Sequence, residues 1–492
     1  MRHGQSQGNK MRVIQGTTTN YGLTEKGRED IKEIVAENLE ELSESDKIIA
    51  SPYKRAQETA EIISEFTGKE IEVEPIIHEF KPGILGGKTH DENASLYPEY
   101  YKIWQERKDL DGIPGAETGK ELQARALAFL MKYMDKDSYN DIVVSHAGFL
   151  RCLINTAKGR IRTTPVDSRN GAITVLENPL EKLDIEHKSR AMASKVYVVK
   201  TTDDKYVVKM KNREIKVEDR EEKRILDDIQ FHVKGLPQVL CLFDNCDRTC
   251  TKVLSFVNGE SVFGKLDPEK LDVLINKMTQ INEFLSNEKN HKYPKEDLIE
   301  VMKKLEESSK RDYTKKYARS ILSDSKNINR LKESEYCLAH NDLNRDNILF
   351  YNDNGAEGVN IIDWEGIGNF PKDYALATFL SSAILIEGYE VKECLDIAKR
   401  MESNIDPDYL TFLMKIRVFT GLHYFAENRN IYTQSNKDVS KEILKKYFFA
   451  AEKLDRYRIR NGFDENLQEY DTIEEKLEKV YKSIQDGTDE ER

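Results

Sequence analysis

Leu338-Ala339-His340-Asn341-Asp342-Leu343-Asn344-Arg345-Asp346-Asn347-Ile348-Leu349-Phe350 is followed by a turn-rich spacer and then by Asn360-Ile361-Ile362-Asp363. Asn347 stands five positions after Asp342, and Asp363 closes the apolar run that begins at Val359. Phosphoryl transfer from ATP calls for this set. One carboxylate orients the acceptor hydroxyl, while an amide oxygen and a second carboxylate hold the Mg²⁺ ions that neutralise charge on the moving group. Asp342 takes the role of base, and Asn347 and Asp363 those of metal ligands. The spacer explains how they meet: two strand-like runs flank Asn352-Asp353-Asn354-Gly355, a hairpin signal that folds Asp363 back beside Asn347. A loop capped by its own Asp and Asn side chains would account for any one of these residues but not for the full set.

Length and charge set the bounds. At 492 residues the chain can form two or three domains, each with its own core. Its 88 acidic and 76 basic residues leave a net charge of −12 without long like-charge blocks, so neither nucleic acid nor an anionic membrane is the expected partner. No apolar run approaches the roughly 20 residues of a membrane span, and the N-terminus lacks a signal-peptide core. A cytoplasmic location is the expectation, and the six sparse cysteines agree with a reducing compartment. Cys241, Cys246 and Cys250 cluster across a polar turn with no histidine in ligand pattern, which favours free thiols on a hairpin over a zinc site.

The first segment opens Met1-Arg2-His3-Gly4. An apolar Ile-Val-Val run places His146 at the C-terminal end of a strand, where α/β sheets keep their ligand crevice. Ser51-Pro52 ahead of a helical pattern puts Arg55 in a first helical turn. Arg2, Arg55, His3 and His146 can therefore surround one anionic group. Glu79, in a Gly/Pro-rich loop, can reach it.

These stretches resemble the histidine phosphatase (phosphoglycerate mutase-like) superfamily. The likeness covers the Arg2-His3-Gly4 triplet, Leu23-Thr24 with Gly27, the run from Ser51 to Ala60, Glu79 with Gly83 and Gly87, Gly115-Ala116-Glu117 with Arg125, and Ser145-His146-Ala147-Gly148. It implies a three-layer α/β domain. It also implies His3 as the nucleophile forming a phosphohistidine, Arg2, Arg55 and His146 on the phosphoryl oxygens, and Glu79 as the acid for the leaving group. The mutase branch carries other residues at Pro82 and Gly148, so the resemblance favours a phosphatase. In that family the triplet ends a buried central strand, whereas only Met1 precedes Arg2 here. The expectation is that Met1 is an internal methionine, and that without an upstream apolar strand of about five residues His3 loses its anchor.

Asn170-Gly171 before Ala172–Glu177 reads as a turn and a closing strand, and Asn178-Pro179 then breaks the pattern, giving domains of 1–178 and 179–492 with a packed or semi-rigid join. The second opens with strands: a first run to His187, a loop over Ser189–Ser194, and two alternating runs that end at Thr201 and Met210. Lys209 closes the last as an ATP-positioning lysine would, and Glu222, on a helix from Glu218 to Ile229, is its expected partner. The stretch 252–262 reads as a strand and hinge, with Phe256, Val257 and Asn258 receiving the adenine. Helices dominate thereafter, so the layout is bilobal, with an N-lobe of about 180–260 and a C-lobe of about 261–492.

This segment resembles the aminoglycoside phosphotransferase and choline/ethanolamine kinase branch of the protein-kinase-like fold, through the loop at 340–349 and the Ile361–Ala377 continuation. The resemblance implies an α+β domain and a small-molecule hydroxyl as acceptor. The reading is a small-molecule kinase for a hydroxyl of amino alcohol or sugar type, fused to a phosphatase, using ATP and Mg²⁺, with the particular acceptor, phosphatase substrate and oligomeric state left open. Two alternatives remain at this level: a nucleotide-sensing regulator with an inactive phosphatase, and a protein kinase coupled to a phosphohistidine phosphatase. Tyr409, Phe412, Phe419, Tyr424 and Phe425 are expected as core more than as an aromatic cage.

Overall fold

A computed structural model describes residues 1–464 except 19, 107–110, 133–139, 192–193, 246–248, 263 and 428–436. The chain divides into two compact units, Met1–Lys216 with Gln238–Phe256, and Val217–Pro237 with Val257–Arg492.

The first unit is built on a short parallel sheet, β1 (Ile48–Ala50), β2 (Ile71–Val73) and β3 (Ile142–Val144), in the order β2-β1-β3. Its longer helices are α1 (Glu25–Glu37), α2 (Lys54–Thr67), α3 (Pro98–Gln105), α4 (Gly119–Met131) and α5 (Ala147–Ala157). The strands read Ile-Ile-Ala and Ile-Val-Val because both faces are covered. Ile48, Ala50 and Val144 pack with Ile31 and Val35 of α1 and Ala60 and Ile63 of α2. Ile49 joins the opposite core with Leu127 of α4 and Phe149 of α5. This is the three-layer α/β arrangement expected from the sequence. Arg2 extends the sheet by a parallel bridge to Ser145. Residues 172–177, expected as a closing strand, form no ladder; on that side Arg2 N–H donates to Ala172 O at 2.9 Å, and the neighbouring bridge is too short to propagate pairing.

A second sheet belongs to the same unit. Strands β4 (Asp184–Ala191), β5 (Ser194–Lys200), β6 (Lys205–Lys211), β7 (Val239–Asp244) and β8 (Cys250–Ser255) are antiparallel in the order β4-β5-β6-β8-β7. The expected loop at Ser189–Ser194 is instead largely the end of β4 and the start of β5, with a register shift between His187 and Ser189. Alternation decides which face is dry: Tyr197, Val199, Tyr206, Val208, Cys241, Phe243 and Val253 share one core with α4 and α5. Helix α4 thus lies between two sheets, and ten of its thirteen residues are buried. That explains the apolar run Ala-Leu-Ala-Phe-Leu-Met, which an amphipathic surface helix would not carry.

One polar residue crosses this core fully satisfied. Gln123 of α4 accepts from Tyr206 Oη at 2.8 Å and Thr201 Oγ1 at 3.4 Å, and donates to Asp203 Oδ2 at 3.2 Å and Thr156 Oγ1 at 3.3 Å. The strand-rich start of the second family-like segment is therefore fastened to the first segment's helices.

The second unit holds helices α6 (Val217–Ile229), α7 (Pro268–Asn287), α8 (Leu298–Ser308), α9 (Asp312–Leu322), α10 (Ser325–Glu333), α11 (Tyr374–Glu387), α12 (Val391–Met401), α13 (Pro407–Glu427) and α14 (Lys437–Arg460). It also holds two antiparallel pairs: β9 (Tyr336–His340) with β12 (Ile367–Pro371), and β10 (Ile348–Asp353) with β11 (Ala356–Ile361). The β10–β11 hairpin is the one expected, turning at Asn354 and Gly355, both with positive φ (54° and 91°). Tyr409, Phe412 and Phe419 are buried core, and Tyr409–Phe412 and Tyr317–Phe419 stack, whereas Tyr424, expected with them, is 49% exposed and Phe425 is half-buried, because the last turns of α13 turn one face to solvent. No described helix is long and apolar enough to cross a membrane.

Replacing Tyr206 with Phe removes the shorter of the two bonds to Gln123 Oε1. It should cost the first unit about 1–2 kcal/mol, measured as a fall in the urea midpoint by circular dichroism.

Candidate active sites

The first site forms where Arg2-His3, the N-terminal turn of α2, the Glu79 loop and the start of α5 meet. His3 N–H donates to Ser145 O at 3.0 Å, and Ser145 N–H donates to Met1 O at 3.1 Å, so the ladder anchors the triplet directly. The loss of anchor expected from the sequence does not occur. His3 Nδ1 lies 2.7 Å from Gly4 O. An imidazole facing a carbonyl there must carry its proton on Nδ1, leaving the Nε2 lone pair for attack. Burial, then the charges of Arg55 and Arg2, push the His3 pKa well below its ordinary value of 6.5.

His146 caps α5 and stands 5.1 Å from His3, centroid to centroid. Its Nε2 lies 2.7 Å from Ser51 Oγ, while its buried Nδ1 has no partner among the described residues. Arg55 donates to Thr18 O at 2.9 Å and Gly16 O at 3.0 Å, and Arg2 donates to Ser168 O. Both Nε atoms are buried without a hydrogen-bond partner, and neither arginine has a salt bridge among the described residues. Burial lowers the Arg55 pKa to about 10. Three buried nitrogens without hydrogen-bond partners among the described residues, on groups beside a neutral histidine, suit an oxyanion.

Glu79 accepts from the amides of Phe80 (3.0 Å), Gly148 (3.2 Å) and Phe149 (3.1 Å), which fixes its carboxylate at the start of α5. Gly148 is required there, because an added Cβ would stand 2.2 Å from Phe80 Cδ1 and 2.6 Å from Glu79 Oε1. Arg125 braces the same loop from α4, donating to Ile76 O at 2.6 Å and His78 O at 3.0 Å while paired with Glu117. Ser51 was not singled out from the sequence; its only signal is its place just ahead of Pro52 and α2.

The second site lies in the second unit. Asp342 and Asn347 are in contact: Asn347 Nδ2 donates to Asp342 O at 2.8 Å and Oδ2 at 3.1 Å. That engages the amide nitrogen and leaves the amide oxygen out of this contact, which suits a metal ligand. Asp363 follows directly on a tie between the loops, Ile362 N–H to Asn347 O at 2.9 Å, and sits in the left-handed region at φ 61°. His340 fastens both loops: its Nδ1 accepts from Asp342 N–H at 3.2 Å and its Nε2 faces Ile362 O at 3.3 Å, with Trp364 packed edge-on at 5.1 Å. Burial lowers the His340 pKa, which keeps Nδ1 available as an acceptor. The sequence reading passed over His340 and Trp364 as positioning residues, although both flank its motif.

The remaining expected residues are placed as follows. Lys209 is on β6, on the sheet face opposite Val208, with Lys252 of β8 as its cross-strand partner. Lys252 is buried. Glu222 is buried on α6, and its neighbour Glu221 is engaged by Arg224 at 3.3 Å and Lys292 N–H at 3.2 Å. Of the adenine-binding stretch, Phe256 N–H donates to Lys205 O at 3.3 Å and Asn258 O accepts from Asn360 Nδ2 at 2.7 Å; Val257 lies between them.

Two families share the chain. Residues 1–188 match the model of the histidine phosphatase superfamily (branch 1), and residues 189–387 that of the phosphotransferase enzyme family. Similar proteins include phosphoglycerate mutase-like protein 4 of Arabidopsis thaliana, 33% identical over 33% of this chain and 71% of that protein. A probable phosphoglycerate mutase of Photorhabdus laumondii is 35% identical over 32% of this chain and 73% of its own. A choline kinase structure from Cryptosporidium parvum overlays at TM-score 0.42, with 12% identity, covering 58% of this chain and 92% of that one. The chain belongs to the histidine phosphatase superfamily through its first part, and its residues 189–387 match the phosphotransferase enzyme family; both are enzyme families.

Two outcomes follow for the first site. Because the pKa of His3 is held down, the native state binds fewer protons than the unfolded chain around pH 6.5, and the imidazole is neutral there. Hydrolysis of p-nitrophenyl phosphate should show no acid limb centred on 6.5; a limb there would contradict a His3 held neutral by burial and by Arg55 and Arg2. Gly148→Ala, by displacing the Glu79 carboxylate, should lower kcat by up to about 10²-fold in a folded protein.

Proposed function

We propose that the chain is a bifunctional enzyme, with phosphate monoester hydrolysis in residues 1–178 and ATP-dependent phosphorylation of a small-molecule hydroxyl in residues 179–492. The observation that carries the first half is the set of buried nitrogens without partners on Arg2, Arg55 and His146 around His3. His3 Nε2 attacks phosphorus, the ester bond breaks, and Glu79 gives the leaving oxygen its proton. Water then hydrolyses the phosphohistidine with Glu79 taking the proton back.

For the second half the support is the direct contact of Asp342 and Asn347 and the tie that brings Asp363 beside them. Bound ATP supplies the phosphoryl group, and Mg²⁺ neutralises its charge. Asn347 and Asp363 would hold the metal, Lys209 with Glu222 would position the phosphates, and Phe256, Val257 and Asn258 would receive the adenine. Asp342 orients the acceptor hydroxyl and takes its proton. Opposite chemistries on one ester would only consume ATP, so the two sites serve separate steps or reciprocal control of one metabolite. A cytoplasmic setting suits a chain of this length with six sparse cysteines.

Transfer of label from ATP to acceptors in a metabolite extract, with Mg²⁺ present, tests the kinase. Asp342→Asn should lower it by about 10²–10⁴-fold; equal labelling with both proteins would remove the base role. In the same preparation His3→Ala should abolish p-nitrophenyl phosphate hydrolysis and leave ATP-dependent labelling intact.

A further inference from the structure

Arg417 lies in the middle of α13, a helix otherwise packed into the second unit's core, with Ile416 and Val418 fully buried on either side. Its Nη2 comes to 3.8 Å from Asp342 Oδ1. That is an ion-pair approach beyond hydrogen-bond distance, and the Arg417 side chain makes no hydrogen bond among the described residues. Other cations packed against these helices are committed: Lys415 to Asp455 at 2.9 Å and Asp464 at 3.2 Å, Arg458 to Asp464, Asp408 and Asp324, and Arg311 to Glu427 at 3.0 Å. Arg417 alone of this group is brought to the catalytic carboxylate with its donors unspent.

Its surroundings add hydroxyl groups. Tyr447 of α14 lies over Gly421, one turn beyond Arg417, where an added Cβ would stand 2.4 Å from Tyr447 Oη. Both Arg417 and Asp342 act on that phenol, and Arg417 also acts on buried Tyr374. Of the carboxylates after Asp363, Glu365 is exposed, and Asp373 is set among Glu402, Lys372 and Arg330. We propose that Arg417 binds a carboxylate or phosphate group of the acceptor beside the hydroxyl that Asp342 deprotonates. The acceptor would then be a hydroxy acid or a phosphorylated polyol.

This rests on the kinase reading. A planar guanidinium suits an oxyanion through paired N–H donors. An amine acceptor would meet a like charge at the base and leave those donors unused. In the transfer the acceptor oxygen bonds to the γ-phosphorus, the bond from that phosphorus to the β-phosphate oxygen breaks, ADP leaves, and the hydroxyl proton passes to Asp342.

The test uses the full chain with labelled ATP, Mg²⁺ and a panel of glycerate, ribose 5-phosphate, glycerol, choline, ethanolamine and kanamycin. The expected result is preferential transfer to an anionic member. Arg417→Met should then raise the KM of that acceptor about tenfold or more, with the KM for ATP unchanged and partial recovery in Arg417→Lys. Preference for choline, ethanolamine or kanamycin overturns the proposal and leaves the kinase standing. So does a fall in kcat shared by all acceptors with KM unmoved, which would reduce Arg417 to a brace for Asp342. Transfer to no member of the panel removes the kinase reading and this inference together.

Discussion

Two guanidinium groups, Arg2 and Arg55, are held inside the first unit by backbone carbonyls and by no carboxylate ion pair among the described residues. Withdrawing a cation from water costs several kcal/mol even after relaxation. A fold that tolerates two of them, beside a histidine kept neutral, has a bound oxyanion to gain. Much of the unit's architecture holds them there. The bridge to Ser145 sets Arg2 and His3, the first turn of α2 sets Arg55, and the carbonyls of Gly16 and Thr18 fix the direction of its guanidinium.

Helix α4 links that pocket to the second family's sheet. On one side Arg125 holds the peptide that leads into Glu79; two residues earlier, Gln123 is bonded to β6 and to the turn before it. Because the helix is dry on nearly all sides, neither sheet can shift along it without opening packed apolar surface. The sheet that carries Lys209 therefore shares its rigidity with the phosphatase, and the compact division of the chain does not follow the order of its two families.

Local signals made much of this legible. The Asn354-Gly355 turn specifies its hairpin from residues adjacent in sequence, and that hairpin brings Asp363 to Asn347. The Ile-Val-Val run and the Ser51-Pro52 helix start place His146 and Arg55 for the same reason. What escaped depends on distant partners. Residues 172–177 have strand composition, but composition cannot supply a ladder to pair with. Ser189–Ala191 and Ser194 have loop composition, yet the pairing of β4 with β5 draws them into the sheet. Arg417, in an apolar helix, looks like an interruption of the core until α13 is seen to pass Asp342.

The central claim is that His3 is a nucleophile in a cation-lined pocket, and its intermediate can be caught. Acid-sensitive phosphate should be found on the peptide containing His3 when the full chain is quenched rapidly during turnover of p-nitrophenyl phosphate and analysed by mass spectrometry. The account predicts phosphate on His3 in the parent protein and none at that position in His3→Ala. Hydrolysis that proceeds with His3 unmodified at every quench time, and that survives in His3→Ala, would contradict it.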